Sequence, residues 1–218
     1  MPNTAAARFM MVNGQIRPNR VTDSGVLDAM GEVPREQFVP KALRGVAYLD
    51  RSLAVGTGRL LMEPLTLARL LQAALITKED VVLDVACATG YTTAVLARLA
   101  ATVVAIDSDI ELVASATRTL ATLGIDNALV FEAPLTTGYP SQAPYNVMVI
   151  NGAVAEVPDG LLDQLAEGGR LVAVIAPEDG LGQATLFVRL NGVISTRPLF
   201  ETKLAMLQEF APKPKFQL

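Results

Sequence analysis

The fold is decided by the stretch Val81-Val82-Leu83-Asp84-Val85-Ala86-Cys87-Ala88-Thr89-Gly90-Tyr91. Its first five residues are apolar and mostly β-branched except for Asp84, which is the pattern of a buried strand. Small residues follow as far as Gly90, and residues 92–99 have the composition of a helix. We therefore predict a buried strand, a tight turn and the first turns of a helix.

A second apolar run lies at residues 101–106 and ends in Asp107. A small-residue turn after one strand, with an acid at the end of the next, is typical of Rossmann-like folds that bind an adenosine. The turn lets the backbone approach the ligand, and the acid accepts hydrogen bonds from ribose hydroxyls. We predict this role for Asp107; the alternative is a solvated acid at the end of a strand.

The spacing within the turn distinguishes two classes of cofactor. A dinucleotide loop has the pattern G-x-G-x-x-G, because a pyrophosphate binds backbone N–H groups at the helix N-terminus. Here the pattern is D-x-A-x-A-x-G, which begins with Asp84 and keeps only its last glycine, Gly90. An acid suits a cofactor with a cationic end and no phosphate, which predicts S-adenosylmethionine rather than NAD. Asp84 would orient the methionine ammonium; the alternatives are an acid that caps the helix, and a turn with no ligand.

The charge and the absence of histidine exclude several classes of chemistry. The 218 residues carry 22 acidic and 18 basic side chains, a net charge of −4, and no histidine. We expect no nucleic-acid partner, because binding phosphates needs a basic surface. Without imidazole the chain lacks the usual general base and the ligands of most zinc sites, so we predict no metal. Methyl transfer to a carboxylate needs no such base, since the acceptor is already an anion.

Location is predicted from the cysteine count and from the length of the apolar segments. Cys87 has no second cysteine with which to form an intramolecular disulfide, and this fits a reducing cytoplasm. No segment approaches the roughly 18 apolar residues of a membrane span. The apolar residues 9–12 are too few for a signal peptide. We therefore expect a cytoplasmic protein with no membrane partner.

Strand and helix patterns alternate regularly after residue 77, and we predict one domain over residues 1–218. Residues 1–77 form a helical N-terminal extension, and residues 78–218 form a Rossmann-like core. Asn191-Gly192 joins the last two strands and is a strong hairpin signal. The expected architecture is an α/β, doubly wound sheet, mostly parallel with an antiparallel C-terminal hairpin, as in class I methyltransferases. The predicted strands are 81–85, 101–106, 128–132, 145–150, 170–175, 184–190 and 193–200. The predicted helices include 64–75, 110–123 and 159–166. We predict a flexible loop at residues 55–59 and an extended tail at residues 211–215.

Four sequence blocks are similar, in the same order, to blocks of one enzyme family. They are Gln15-Ile16-Arg17-Pro18, Val33-Pro34-Arg35-Glu36-Gln37-Phe38-Val39-Pro40, Ala143-Pro144-Tyr145-Asn146 and Leu161-Leu162-Asp163-Gln164-Leu165-Ala166-Glu167-Gly168-Gly169-Arg170-Leu171-Val172. Over essentially its whole length the chain resembles the protein-L-isoaspartate O-methyltransferase family. This resemblance implies a class I fold, S-adenosylmethionine as the methyl donor, and isoaspartyl carboxylates of damaged proteins or peptides as acceptors.

The cofactor loop departs from the family pattern, which usually reads E-x-G-x-G-x-G. Ala86 and Ala88 replace the first two glycines. Each adds a β-carbon where the backbone approaches the cofactor, and each disfavours a positive φ. One misplaced methyl group costs about 1–3 kcal/mol. Pro134 aligns with the family acid that contacts adenine. Unlike that acid, proline has no hydrogen-bond acceptor in its side chain. The residue pattern and the resemblance together give six cofactor-binding positions: Asp84, Ala86, Ala88, Gly90, Asp107 and Pro134. For Gly90 the alternative is a glycine needed for close helix–strand packing whether or not a ligand binds.

The acceptor side departs from the family as well. The family's G-Q-T-x-S reads Gly58-Arg59-Leu60-Leu61-Met62 here, in the acceptor-side loop of the N-terminal extension. The guanidinium of Arg59 could bind an acceptor carboxylate in a bidentate manner; the alternatives are a surface position or a position inside the cofactor groove. Asn151 ends a strand at the edge where open α/β sheets bind ligands, unless it only forms a turn with Gly152. Arg59, Met62 and Asn151 are the candidate catalytic residues.

Three functions remain open from the sequence. The first is an S-adenosylmethionine-dependent carboxyl O-methyltransferase that repairs proteins by acting on isoaspartyl residues. The second is a binding or regulatory module on a methyltransferase scaffold without catalytic activity. The third is a methyltransferase with a different acceptor, which uses Arg59 and the apolar residues 60–62. The sequence does not indicate an oligomeric state.

Overall fold

The computed structural model describes residues 4–177 and 180–212. Nine strands are found in these residues, seven of them in one sheet. The strands are β1 (Leu53–Gly56), β2 (Arg59–Leu61), β3 (Val81–Val85), β4 (Thr102–Asp107), β5 (Ala128–Glu132), β6 (Tyr145–Val154), β7 (Leu165–Ile175), β8 (Gly182–Leu190) and β9 (Val193–Thr202).

The helices lie before, between and beside these strands. Within residues 4–177 and 180–212, no helix is both long and apolar enough to cross a membrane. A π-helical turn at Met11–Ile16 and several short 3-10 turns complete the N-terminal extension and the loops. The α-helices are α1 (Thr4–Met10), α2 (Ser24–Glu32), α3 (Pro64–Ala74), α4 (Tyr91–Ala97), α5 (Ile110–Thr122) and α6 (Asp159–Leu162).

The seven-stranded sheet has the order β5-β4-β3-β6-β7-β8-β9. The first five strands in this order, β5, β4, β3, β6 and β7, pair in parallel. Strands β8 and β9 are antiparallel to their neighbours. The predicted doubly wound sheet with a C-terminal antiparallel hairpin is therefore confirmed. The chain runs outward from β3 to β5 and then returns to β6 on the other side of β3. Ligands of such sheets bind at this switch in direction, beyond the carboxyl ends of the strands.

Apolar side chains fill both faces of the sheet. Alternate residues of β3 point to opposite faces, because successive side chains of a strand do so. Val82 belongs to a buried cluster with Leu67 of α3 and Val95 of α4. Leu83 belongs to a second cluster with Leu161 of α6. This burial on both faces explains the continuous apolar run from which the fold was predicted.

The hairpin between β8 and β9 forms where the sequence predicts it. Asn191 and Gly192 have φ angles of +52° and +74°. Two central residues with positive φ give a turn whose twist matches that of the flanking strands. The helix predicted from Pro64 and the helix predicted at 110–123 are also present, as α3 and α5.

Four predicted elements were wrong in their extent or type, among them β7, which begins at Leu165 and not at Arg170. The helix expected at 159–166 ends at Leu162, because Leu165 already pairs with Tyr145 in the sheet. Residues 55–59 are not a flexible loop but part of a hairpin in which β1 pairs antiparallel with β2, with residues 57 and 58 as its turn. Strand β6 continues four residues beyond Ile150. Of the predicted extended tail, residues 213–215 lie outside the described residues.

Gly90 combines a positive φ with a close helix contact. Its φ is +89°, and a β-carbon at this position would lie 3.0 Å from the Cβ of Ala116 in α5. We expect Gly90→Ala to lower the free energy of unfolding by about 1–3 kcal/mol, because the substitution adds backbone strain and crowds α5. Urea denaturation measures this. Gly160→Ala is the control, since Gly160 has open space around it; an equal loss in both variants would contradict the account.

Candidate functional site

The loop between β3 and α4 keeps a conformation that favours glycine, although it contains two alanines. Ala86 and Ala88 have φ angles of +59° and +50°. Both residues are buried, and the N–H of Cys87 donates to the carbonyl of Ile106 at 3.0 Å. This hydrogen bond holds the loop against β4. The alanines therefore carry backbone strain that glycines at these positions would not.

Asp84 is a buried acid held by two side chains. The hydroxyl of Thr93 and the amide Nδ2 of Asn151 each donate to its carboxylate at 2.6 Å. Burial raises the pKa of Asp84 to about 7, against the opposing effect of these two hydrogen bonds. The partners come from α4 and β6, so Asp84 joins the two elements that flank the switch in strand direction.

The raised pKa of Asp84 predicts a dependence of stability on pH. The folded state holds this proton more tightly than the unfolded chain, so stability falls as pH rises from about 4 to about 7 and then stays lower. The Asp84→Asn variant has no titrating carboxyl group at this position, so its stability lacks this contribution to the pH dependence. We expect the stability of the wild type relative to Asp84→Asn to fall over that range, measured by urea denaturation at several pH values. A difference independent of pH would contradict the assignment. The exposed Asp163 provides the control variant Asp163→Asn.

Asp107 lies at the carboxyl end of β4, as predicted, but it is fully buried and paired. The Nε of Arg59 lies 3.1 Å from Oδ1 and 3.2 Å from Oδ2 of Asp107. The backbone N–H groups of Ala88 and Asp109 donate to the same carboxylate at 2.9 and 3.2 Å. The alternative of a solvated acid is therefore wrong. In this conformation the protein itself uses the lone pairs that ribose hydroxyls would need.

Arg59 occupies the groove between the sheet and the C-terminal residues. It is only 5% exposed. Its Nη2 lies 2.5 Å from Oε1 of Glu209 and donates to the hydroxyl of Ser108 at 2.9 Å. The Ser108 hydroxyl also donates to Glu209 at 2.7 Å. Burial would raise the pKa of Glu209, but its hydrogen bonds with Arg59 and Ser108 hold that pKa below its usual value. Of the three positions considered for Arg59, the structure shows the one inside the groove.

Residues 205–210 lie along the end of β6 and were missed by the sequence reasoning. The N–H of Ala153 donates to the carbonyl of Ala205, and the N–H of Leu207 donates to the carbonyl of Ala153, both at 2.9 Å. Leu207 and Phe210 are buried. The apolar residues at 206, 207 and 210 between polar neighbours are the signal that could have indicated a packed segment.

Asn151 belongs to β6 and is not a turn residue. Its Nδ2 donates to Asp84 and also to the carbonyl of Val85 at 2.9 Å. Its Oδ1 is buried and, within the described part of the chain, has no hydrogen-bond partner. This free acceptor lies beside the groove that Arg59 fills.

Met62 and Pro134 differ in their exposure to solvent. Met62 is buried at the end of β2, and its carbonyl accepts a hydrogen bond from Nη2 of Arg35 at 2.6 Å. Pro134 is exposed in the loop after β5. The structure thus brings together most of the predicted site residues, namely Arg59, Met62, Asp84, Ala86, Ala88, Asp107 and Asn151, but leaves the side chain of Pro134 towards solvent.

Comparison with known proteins identifies the family. Residues 9–207 match the family model described as Protein-L-isoaspartate(D-aspartate) O-methyltransferase. A protein-L-isoaspartate O-methyltransferase from Methanoculleus marisnigri is 39% identical over 192 residues, which make up 88% of this chain and 87% of that relative. This chain belongs to the protein-L-isoaspartate O-methyltransferase family. The resemblance seen in the sequence blocks is confirmed.

Two solved structures share the fold of this family member. One, described as a protein-L-isoaspartate O-methyltransferase, covers 95% of this chain and 67% of its own with a TM-score of 0.82 and 24% identity. The other is a proposed protein-L-isoaspartate O-methyltransferase from Plasmodium falciparum in complex with S-adenosyl-L-homocysteine. It covers 93% of this chain and 98% of its own, with a TM-score of 0.80 and 19% identity. The Rossmann-like methyltransferase fold is confirmed.

Enzymes of this family are carboxyl methyltransferases that use S-adenosylmethionine. The polar groups of the present site suit that cofactor, because two acids and a strand–turn–helix loop lie at the switch in strand direction. The space does not suit it. The cavity that remains beside Asn151 and Met62 has a volume of about 20 Å³, which is room for about one water molecule. Small-molecule sites enclose roughly 300–1,000 Å³. The cofactor therefore does not fit the space beside Asn151 and Met62 in this conformation, in which Arg59 and residues 205–210 lie over the carboxyl edge of the sheet.

Proposed function

We propose that this chain transfers methyl groups from S-adenosylmethionine to the carboxylates of isoaspartyl residues in damaged proteins or peptides. The observation that carries the proposal is the family match over residues 9–207. Asp84 and Asp107 support it, because they lie at the carboxyl ends of β3 and β4, where the fold binds ligands. The closed groove must open for the cofactor to enter.

The chemistry of Arg59 is compatible with an anionic acceptor. Its guanidinium already binds two carboxylates, those of Asp107 and Glu209. A planar guanidinium is suited to such groups because it presents several N–H donors in a fixed arrangement. Arg59 would exchange Glu209 for the carboxylate of the acceptor when the groove opens.

A second candidate function is binding without methyl transfer. The contact between Arg59 and Asp107, in which Nε of Arg59 is shared by both carboxylate oxygens, favours it, because this contact uses the acid that would otherwise accept ribose hydroxyls. In that case the chain would be a binding or regulatory module on a methyltransferase scaffold.

Methylation of a synthetic isoaspartyl peptide separates these candidates. The full chain is incubated with millimolar S-adenosylmethionine and the peptide, and methyl ester is measured. The control is the same peptide with an ordinary aspartyl residue. We expect ester on the isoaspartyl peptide alone. Ester on neither peptide would favour the binding module, and ester on small carboxylic acids instead would favour a different acceptor, recognised by Arg59 and the apolar residues 60–62.

We also propose that the protein acts in the cytoplasm, on protein or peptide substrates and not on nucleic acid. Cys87 is its one cysteine and is buried. Burial raises the pKa of its thiol, so the thiol is unreactive near neutral pH. The net charge of −4 disfavours binding to phosphates. Fractionation of the source cells with an antibody to this chain tests the location.

A further inference from the structure

We infer that residues 205–210 form an internal lid over the cofactor groove, held shut by Glu209 on Arg59, and that the cofactor competes with this lid. The inference rests on the proposed function for the identity of the competing ligand. It deepens that function by stating what regulates access to the site.

The lid attaches to the sheet through its backbone. Ala205 and Leu207 form hydrogen bonds with Ala153 in the last part of β6, and the N–H of Ala155 donates to the carbonyl of Phe210 at 3.3 Å. These contacts place the lid at the carboxyl edge of the sheet, which is the edge where the fold binds ligands.

Two apolar side chains fill space under the lid. Leu207 lies directly against Gly152, where a β-carbon would come within 2.6 Å of its Cγ. Phe210 is 5% exposed and belongs to the same buried cluster as Ala86 of the β3–α4 loop and Ala133 after β5. Phe210 is thus part of the buried apolar layer on this face of the sheet and is not a surface residue of the lid.

A chain of charges holds the lid shut. Glu209 pairs with Arg59, and Arg59 pairs with Asp107, so the lid is connected to the acid predicted to bind ribose. The outer end of this chain is open to solvent, because the side chain of Glu209 is 32% exposed. A short segment held by a few backbone hydrogen bonds and one partly exposed ion pair opens at a lower cost than the strands of the core.

Competition between lid and cofactor sets the measured affinity. When only the open fraction binds, the measured dissociation constant exceeds the intrinsic one by the inverse of that fraction. A change that weakens the lid therefore tightens cofactor binding without any new contact to the cofactor. By linkage, bound cofactor must in turn loosen the lid.

The test measures binding of S-adenosyl-L-homocysteine by calorimetry to full-length variants. We expect Glu209→Gln to bind about tenfold more tightly than the wild type, and Phe210→Ala at least as tightly as Glu209→Gln. Gln208→Ala is the matched control, because Gln208 is exposed in the same turn; it should bind like the wild type. Amide exchange at Leu207, followed without ligand, should be faster in Glu209→Gln than in Gln208→Ala.

The outcomes separate the lid from the proposed function. Tighter binding and faster exchange support the lid. If the peptide is not methylated in the same experiments, the lid stands and the proposed reaction is refuted. Equal affinity in the wild type, Glu209→Gln and Phe210→Ala overturns the lid, even if peptide is methylated. No binding by any of these folded variants overturns both, because the groove would then be lost rather than covered.

Discussion

Asp107→Ala is expected to lower the free energy of unfolding by about 3–5 kcal/mol, because it leaves the buried guanidinium of Arg59 with one carboxylate instead of two. Asp107 is fully buried, and besides Arg59 it accepts hydrogen bonds from the N–H groups of Ala88 and Asp109. The substitution thus removes one charge and leaves several buried donors without an acceptor. Chemical denaturation, monitored by circular dichroism, measures the loss.

A double-mutant cycle tests whether the loss comes from the ion pair. Arg59→Met together with Asp107→Ala should cost clearly less than the sum of the two single changes, since neither charge is then buried alone. Asp163→Asn is the control, because the contact between Asp163 and Arg189 is long, at 3.5 Å, and largely exposed; it should change stability by less than about 1 kcal/mol. A loss below that value for Asp107→Ala would show that the pair is not buried as described.

Arg35→Ala is expected to have a similarly large effect on stability, about 3–5 kcal/mol, for a different reason. Arg35 is fully buried and carries no ion pair among the described residues. Its Nε donates to the carbonyl of Ala47 at 2.7 Å, and its Nη2 donates to the carbonyl of Met62. Its guanidinium lies 4.7 Å from the ring centre of Tyr91, and burial lowers its pKa. Truncation leaves a cavity and two buried carbonyls without donors.

The effect of Arg35 should depend on its hydrogen bonds as well as its volume. Arg35→Met keeps most of the side-chain volume but removes the hydrogen-bond donors. It should therefore lower the free energy of unfolding by less than Arg35→Ala does, but still by more than about 1 kcal/mol, because two buried hydrogen bonds are lost. Arg44→Ala provides the control at an exposed arginine of the same segment. Equal stability of Arg35→Met and the wild type would mean that the two carbonyls do not depend on Arg35.

Much of the core could be predicted from local pattern. A few neighbouring residues were enough to predict three features: the strand at 81–85, the acid at the end of β4 and the Asn191-Gly192 turn. Helix α6 was predicted too long because the pairing of Leu165 with Tyr145 links residues far apart in the sequence. Local helix propensity gives no sign of such a tertiary contact.

Only part of the site could be predicted, because some of its contacts join residues that are far apart in the sequence. Asp84 and Asp107 follow from the ends of two strands, and the edge of the sheet brings such ends together. The position of Arg59 in the groove depends on Glu209, which is 150 residues away in the chain. The burial of Leu207 and Phe210 depends on β6, so the packing of this segment could not be predicted from its own composition.

The most direct test of the account is a calorimetric titration of the wild type and of Arg59→Gln with S-adenosyl-L-homocysteine. This change introduces the glutamine of the family pattern and removes the charge that pairs with Asp107. We expect Arg59→Gln to bind roughly 10- to 100-fold more tightly, because Asp107 is then free to accept hydrogen bonds from the ligand. Micromolar binding by the wild type that Arg59→Gln leaves unchanged would contradict the claim that Arg59 closes the site.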